Sequence, residues 1–187
     1  MSKKIIITGG LGYIGSELCK LYSGYSWHHK VIVVDNRFIS ERVNQIRNWN
    51  IGYFNGDILD KDFVEMHFKD ADVVHHLAGI TDVPRTKSQS DLEKDKQIKI
   101  VAEKGTQNIL DTINDKCKII FPSTHVVYEG INKVKIDIKE EENTQPVLSY
   151  SSSKAFNEKQ LKESGKNYVI LRLGSVYGYS NDTMRID

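Results

Sequence analysis

Over its first 80 residues the chain alternates between two patterns. Lys3 to Thr8 (KKIIIT), Lys30 to Asp35 (KVIVVD), Ile51 to Asp57 (IGYFNGD) and Asp72 to Ala78 (DVVHHLA) are short runs rich in β-branched and other apolar residues. Such near-continuous apolar character predicts strands covered on both faces, as in a parallel sheet screened from water by crossover helices. The intervening segments are long enough for those helices. In Ile14 to Ser23, the residues Ile14, Leu18, Leu21 and Tyr22 recur at helical spacing and are expected to share a buried face. Further on, Gln97 to Ile113 and Tyr150 to Lys162 predict helices, while Cys117 to Phe121 and Tyr168 to Leu173 predict strands. Strand and helix alternate throughout, which implies an α/β fold: a doubly wound parallel sheet of six or seven strands with helices on both faces. The polar stretches Thr81 to Lys96 and Gly130 to Thr144 predict long loops, of a length that is usually functional or mobile.

Composition narrows the class without changing that picture. A chain of 187 residues, 39% hydrophobic, suits one core, so a single domain over 1–187 is expected. Lys and Arg number 26 against 25 Asp and Glu, and the resulting charge of +1 provides no field to draw in a nucleic-acid polymer or an anionic membrane. Trp27, Trp49 and the nine tyrosines lack the basic interleaving that single-stranded nucleic-acid platforms need. No apolar run approaches the roughly 18 residues needed to span a bilayer. Ser2-Lys3-Lys4 leads straight into a strand-like run without an export signal. Cys19 and Cys117 are too few for a disulfide framework and read as reduced, buried thiols of a cytoplasmic protein. His75 and His76 lie inside a predicted strand with no carboxylate or cysteine at ligand spacing, so they read as strand histidines, and no metal site is expected.

Three groups of residues carry candidate chemistry. Between the first strand and first helix, TGGLGYIG satisfies G-x-G-x-x-G through Gly10, Gly12 and Gly15, and G-x-x-G-x-x-G through Gly9, Gly12 and Gly15. Glycine allows a tight turn, close approach of a diphosphate to the backbone and close packing of helix on strand, and the helix N-terminus offers N–H donors to the anion. The same pattern also occurs as a plain Gly-rich turn. Asp35 ends the second strand 20 residues after Gly15, where a carboxylate accepts hydrogen bonds from an adenosine ribose and repels a 2'-phosphate, favouring NAD over NADP. Arg37 reads either as a partner for such a phosphate or as a solvated loop cation. In Tyr150-Ser151-Ser152-Ser153-Lys154 a phenol and an ammonium four apart share a helix face, and a nearby cation favours the phenolate that a general base for an alcohol proton requires. Thr124 closes the predicted strand that ends Phe121-Pro122-Ser123, at the edge where open α/β sheets bind ligands, and reads either as a donor to the same oxygen or as a turn hydroxyl.

Taken in order along the chain, these motifs resemble the extended short-chain dehydrogenase/reductase family, the Rossmann-type branch of NAD-dependent nucleotide-sugar epimerases and dehydratases that includes UDP-glucose 4-epimerase. The resemblance rests on TGGLGYIG, on VVDN ending in Asp35 and Asn36, on GDILD around Asp57, and on HHLAG at His75 to Gly79. It continues through GTQNIL at Gly105 to Leu110, PSTHVVYE at Pro122 to Glu129, YSSSK, and LRLGSVYG at Leu171 to Gly178. It implies an enzyme that oxidises a sugar hydroxyl, with Thr124, Tyr150 and Lys154 as catalytic triad and NAD as cofactor. The cofactor would be held by Gly9, Gly12, Tyr13, Ile14, Gly15, Asp35 and Asn36, by Asp57 and Ile58 near the adenine, and by Leu77, Ala78 and Gly79 along its length. Tyr150 and Lys154 would complete the set, Lys154 bonding the nicotinamide ribose.

The resemblance also implies a nucleotide-sugar substrate and places a dimer interface on the helices around Gln97 to Ile113 and Tyr150 to Lys162. Lys99, Glu103 and Lys104 make the first of these partly polar, which leaves a homodimer and a monomer both open. Several positions depart from the family. Dehydratases carry Asp-Glu after the catalytic Thr, whereas this chain has His125 and Val126, which disfavours water loss. Ala102 and Ser175 stand where the family has Asn, and the segment from Ile80 to Gly105 is longer than usual. The small substrate-binding lobe is largely missing from these 187 residues. A dinucleotide-binding sensor or scaffold without turnover, or a related oxidoreductase or decarboxylase, is therefore the alternative to an epimerase.

Overall fold

Two apolar layers, one on each face of a single sheet, hold the chain together. In the computed structural model, which describes residues 1–81 and 91–178, the strands are Lys4–Thr8 (β1), Lys30–Asp35 (β2), Gly52–Asn55 (β3), Val73–His76 (β4), Lys118–Thr124 (β5) and Asn167–Leu173 (β6). All are parallel, in the order β3-β2-β1-β4-β5-β6. Side chains of a strand point alternately to opposite faces, so Ile6, Ile32, Val34 and Val74 enter one layer while Ile5, Ile7, Val31 and Val33 enter the other. Between the strands run Tyr13–Ser23 (α1), Ser40–Asn48 (α2), Lys61–Phe68 (α3), Leu92–Ile100 (α4), Thr106–Thr112 (α5) and Ser149–Glu163 (α6). The first layer takes Val64 and Phe68 from α3, Ile109 and Leu110 from α5 and Leu161 from α6, and the second takes Cys19 from α1 and Val43 and Ile46 from α2.

Winding reverses between β1 and β4, where connections leave toward opposite faces, and this opens a crevice at the carboxyl ends of the two strands. That crevice positions the site described below.

Three expectations from the sequence are corrected. Cover on both faces holds for β1 and β2 but not for the sheet margins, where β3 and β6 leave most side chains half-exposed or exposed. In α1, Leu21 is 71% exposed, and the buried residues are Gly15 and Cys19, with Leu18 and Tyr22 packed beside them. At 100° per residue Leu21 points away from Cys19, two positions earlier. The loop expected over Thr81 to Lys96 gives way to helix at Leu92, and residues 82–90 lie outside the described residues. Asp91 caps α4, its carboxylate accepting from Glu93 N at 2.9 Å, and Ile98 is the helix's one buried residue. Without an apolar stripe, only that cap and the acidic first turn marked the start. The stretch from Gly130 to Thr144 is irregular, as expected.

Between α4 and α5 the helix widens into a π-helical turn, Val101–Gly105. Such a turn disturbs the i→i−4 ladder, and α6 supplies donors: Asn157 Nδ2 reaches Ala102 O at 2.9 Å and Gln160 Nε2 reaches Glu103 O at 3.0 Å.

The far half of the sheet is locked by one buried ion pair. Glu158 on α6, with a side chain 3% exposed, accepts from Arg172 Nε at 2.9 Å, Arg172 Nη2 at 2.6 Å and Ser123 Oγ at 2.6 Å. Burial pushes the Glu158 carboxyl upward most strongly of any one influence, but the Arg172 and Ser123 hydrogen bonds and the nearby cations together hold it below its ordinary value. Removing one partner of such a pair strands the other charge, so Arg172→Met is expected to lower stability by about 3–5 kcal/mol in urea unfolding at neutral pH. Because the folded carboxyl titrates below the unfolded one, the parent's contribution is present above the ordinary glutamate range. It is lost as pH falls through the lowered value, so the deficit of the variant should shrink in acid.

Candidate active site

The turn after β1 is built on backbone contact. Gly9 has φ +65° and lies so close to the turn after β4 that a Cβ would stand 2.8 Å from Ala78 N and 2.9 Å from the Leu77 carbonyl carbon. Gly9 N donates to Val34 O at 2.8 Å and Gly12 N to Gly9 O at 3.0 Å, closing the turn, while Ala78 N donates to Thr8 Oγ1 at 3.0 Å. A Cβ on Gly15 would meet Gly9 O at 2.4 Å, so the start of α1 packs directly on the turn. No side chain caps α1, whose N-cap is Gly12, and its first-turn amides suit an anion.

Asp35 ends β2 beside this turn, 5% exposed. Its Oδ2 accepts from Leu11 N at 3.0 Å, and its Oδ1 accepts from Arg37 N at 3.0 Å and Arg37 Nε at 3.4 Å. The carboxylate therefore braces the glycine turn, and Arg37 is its ion-pair partner rather than a purely solvated cation. Asn36 Nδ2 donates to Asp57 Oδ2 at 3.2 Å, joining the ends of β2 and β3. The Ile58 side chain is buried in the core, 4% exposed, which leaves Asp57 as the polar member of that pair. Tyr13 and Ile14 form the half-buried first turn of α1, the Tyr13 hydroxyl donating to Gly178 O at 3.0 Å.

On the other side of the crevice, Tyr150 and Lys154 line one cleft with Ala78, Gly79, Ile98 and Phe121. Tyr150 lies in the first turn of α6, and Lys154 follows one turn on. Lys154 Nζ donates to Pro122 O at 2.8 Å, stands 4.4 Å from the centre of the Phe121 ring and 5.9 Å from that of Tyr150. Burial pushes the Lys154 amine down to about 8. Thr124, 8% exposed, stands at the carboxyl end of β5, outside the set lining that cleft, and its Oγ1 accepts from Val126 N at 3.2 Å to cap the 3-10 turn His125–Tyr128. His125 Nδ1 meets Leu173 O at 3.1 Å.

Sequence reasoning missed what supports the cleft from below. His76 bonds Thr8 Oγ1 at 3.0 Å through Nδ1 and Thr106 Oγ1 at 2.9 Å through Nε2, and Asn157 Nδ2 adds a bond to Thr106 Oγ1 at 3.0 Å. Burial, with the Lys154 cation, pushes His76 down to about 3, so it is neutral at physiological pH. The HHLAG run placed His76 on a strand, but nothing in the sequence paired it with Thr106 and Asn157. Among the described residues no group of three or more His, Cys, Asp or Glu is placed to hold a metal ion, and no helix is long and apolar enough to cross a membrane.

A six-stranded sheet ordered 3-2-1-4-5-6, with a glycine turn at its switch point and a carboxylate ending β2, defines the Rossmann class of doubly wound α/β protein. The chain belongs to the NAD-dependent epimerase/dehydratase family, whose sequence profile matches residues 5–186. It is 30% identical, over 94% of its length and 44% of the relative's, to a dTDP-D-glucose 4,6-dehydratase of Dictyostelium discoideum. It is 35% identical to a UDP-N-acetyl-alpha-D-glucosaminuronate decarboxylase of Bacillus cytotoxicus, over 68% of this chain and 38% of that protein. The crystal structure of UDP-glucose 4-epimerase from Thermotoga maritima with UDP-glucose superposes with a TM-score of 0.76 at 26% identity, covering 96% of this chain and 58% of that one. The chain thus spans less than half the length of those two curated relatives.

The Lys154 amine is expected to titrate near pH 8 by 13C NMR of its Cε, against roughly 10.4 for an ordinary lysine. The unfolded chain keeps that proton to higher pH, so this residue should add to stability as pH rises from about 8 toward the ordinary value. An ordinary midpoint would show the amine to be solvated.

Proposed function

We propose that this chain is the cofactor domain of an NAD-dependent nucleotide-sugar epimerase-like enzyme, with Thr124, Tyr150 and Lys154 as its catalytic residues. The observation that carries this reading is the meeting of Tyr150 and Lys154 with Ala78 and Gly79 in one cleft next to the glycine turn. The residues suit the dinucleotide: Gly9 and Gly15 let the turn pack on Ala78 and on the start of α1, and Gly12 places no Cβ at the uncapped start of that helix with Tyr13 and Ile14. Asp35 and Asn36 would hold the adenosine ribose, Asp57 and the backbone of Ile58 the adenine, and Leu77 to Gly79 the length of the cofactor. When bound, NAD would supply the hydride acceptor for oxidation of the sugar carbon and the hydride donor for its reduction.

Tyr150 removes the proton of the sugar hydroxyl, commonly at C4. The Lys154 cation, held against Pro122 O, favours the phenolate that does so and bonds the nicotinamide ribose. Thr124 donates to the same substrate oxygen. His125 and Val126 after Thr124 provide no carboxylate pair for water loss, which supports epimerisation over dehydration. The small substrate-binding lobe is largely missing from residues 1–187 in this reading, in line with the share of its relatives that the chain spans. Homodimerisation through the helices around Gln97 to Ile113 and Tyr150 to Lys162 is part of the proposal, supported by Ile100 and Phe156, which are 37% and 40% exposed there. So is a cytoplasmic location, supported by the free, buried thiols of Cys19 and Cys117.

Titration of the purified chain should give tighter binding of NAD or NADH than of the phosphorylated forms, because Asp35 disfavours a 2'-phosphate. Equal or tighter NADPH binding would shift the role to Arg37. The 187-residue chain should bind NAD with little or no epimerase turnover, and a version carrying a substrate lobe should gain turnover that Tyr150→Phe lowers by roughly 10²–10⁴-fold. An active Tyr150→Phe enzyme would refute the assigned base. Light scattering at micromolar concentration tests the dimer, and a monomer there rejects it.

A further inference from the structure

The start of α6 is held from outside the helix. Leu148 occupies its N-cap position and its side chain offers no acceptor to the first-turn amides, while its own N–H reaches Ser151 Oγ at 3.2 Å. The two amides that lead into the helix, Val147 N and Leu148 N, are met by Glu129, the residue directly after the 3-10 turn that Thr124 caps. Glu129 Oε1 accepts from Val147 N at 2.8 Å and Leu148 N at 2.7 Å, and Ser151 Oγ donates to the same oxygen. Its negative charge also suits the positive end of the helix dipole. Two backbone bonds flank the contact, Gly130 N to Gln145 O at 2.8 Å and Gln145 N to Val127 O at 2.8 Å. The turn that begins at Thr124 and the helix that carries Tyr150 are therefore bonded into one unit with Glu129 at the junction.

We propose that Glu129 is a positioning residue, which sets Tyr150 against Thr124 and Lys154 by fixing the first turn of α6. The inference rests on the proposed role of Tyr150. Tyr150 lies two residues beyond the Leu148 amide that Glu129 holds, so the register of that turn decides where the phenol stands. The rest of α6 is anchored independently, Lys154 to Pro122 O and Asn157 to Ala102 O. Loss of Glu129 would therefore displace Tyr150 relative to Lys154 instead of moving both.

The test compares Glu129→Ala with Glu129→Gln, which keeps an oxygen acceptor without the charge. Three quantities are read: amide hydrogen exchange at Val147 and Leu148, the 19F resonance of 3-fluorotyrosine at position 150, assigned through Tyr150→Phe, and NAD affinity. Glu129→Ala should speed exchange of the two amides by roughly tenfold or more. It should also move the Tyr150 resonance and leave the Kd for NAD within about twofold, since the glycine turn is a separate anchorage. Glu129→Gln should restore protection and resonance. Unchanged exchange and resonance in Glu129→Ala would overturn the proposal. So would a Gln variant as disrupted as the Ala variant, or protection lost evenly along α6, which would indicate a general folding role. Turnover by Tyr150→Phe would remove the catalytic reading alone, because neither exchange nor resonance depends on turnover.

Discussion

The approach of Gly9 to the backbone of Leu77 and Ala78 governs where the rest of the carboxyl edge falls. Two strands that are neighbours in the sheet but far apart in sequence send their exit turns into van der Waals contact, and only a residue without a Cβ, at φ +65°, permits it. With that contact made, Gly15 packs α1 onto the turn, Asp35 reaches Leu11 N, and Ala78 N finds Thr8 Oγ1. The glycine turn and the Tyr150 cleft become adjacent because Ala78 borders both.

The cleft concentrates polar groups that would be costly without partners. Lys154, His76, Thr106, Asn157 and Glu158 all lie at or beneath α6, and each is tied to hydroxyls, carbonyls or an opposite charge. These bonds tie α6 to α5, β5 and β6, and burial, with the Lys154 cation, keeps His76 neutral. The widened turn at Val101–Gly105 belongs to the same arrangement, since Asn157 and Gln160 bond carbonyls within it. Ala102 contributes its carbonyl there and so is part of the platform through backbone alone.

Asp35 has a structural task besides its proposed one. A carboxylate at the end of β2 recognises a ribose in principle, but here it also accepts from Leu11 N and pairs with Arg37. Replacing it would loosen the glycine turn as well as alter recognition, so a loss of binding on substitution would not by itself measure the ribose contact. Arg37, readable in the sequence as either a phosphate partner or a loop cation, is held on Asp35 by a contact that needs the turn after β2 to fold back on itself.

The sequence by itself determined the central strands of the sheet, because the strands of a parallel core carry their burial as local apolar runs: β2 was legible to the residue and β1 to within one. It also determined the glycine turn, Asp35 and the Tyr150–Lys154 spacing, since each is a short-range pattern with a local physical meaning. Only the tertiary structure decided which faces stay open, because exposure of β3 and β6 depends on neighbours beyond the strand. The start of α4 was nearly invisible, as the helix buries only Ile98 and lacks a periodic stripe. The bonds from Glu129 to the start of α6, from His76 to Thr106 and from Glu158 to Arg172 join residues 18, 30 and 14 positions or more apart. No local propensity encodes such pairings, which arise when the sheet order brings separate elements to one edge.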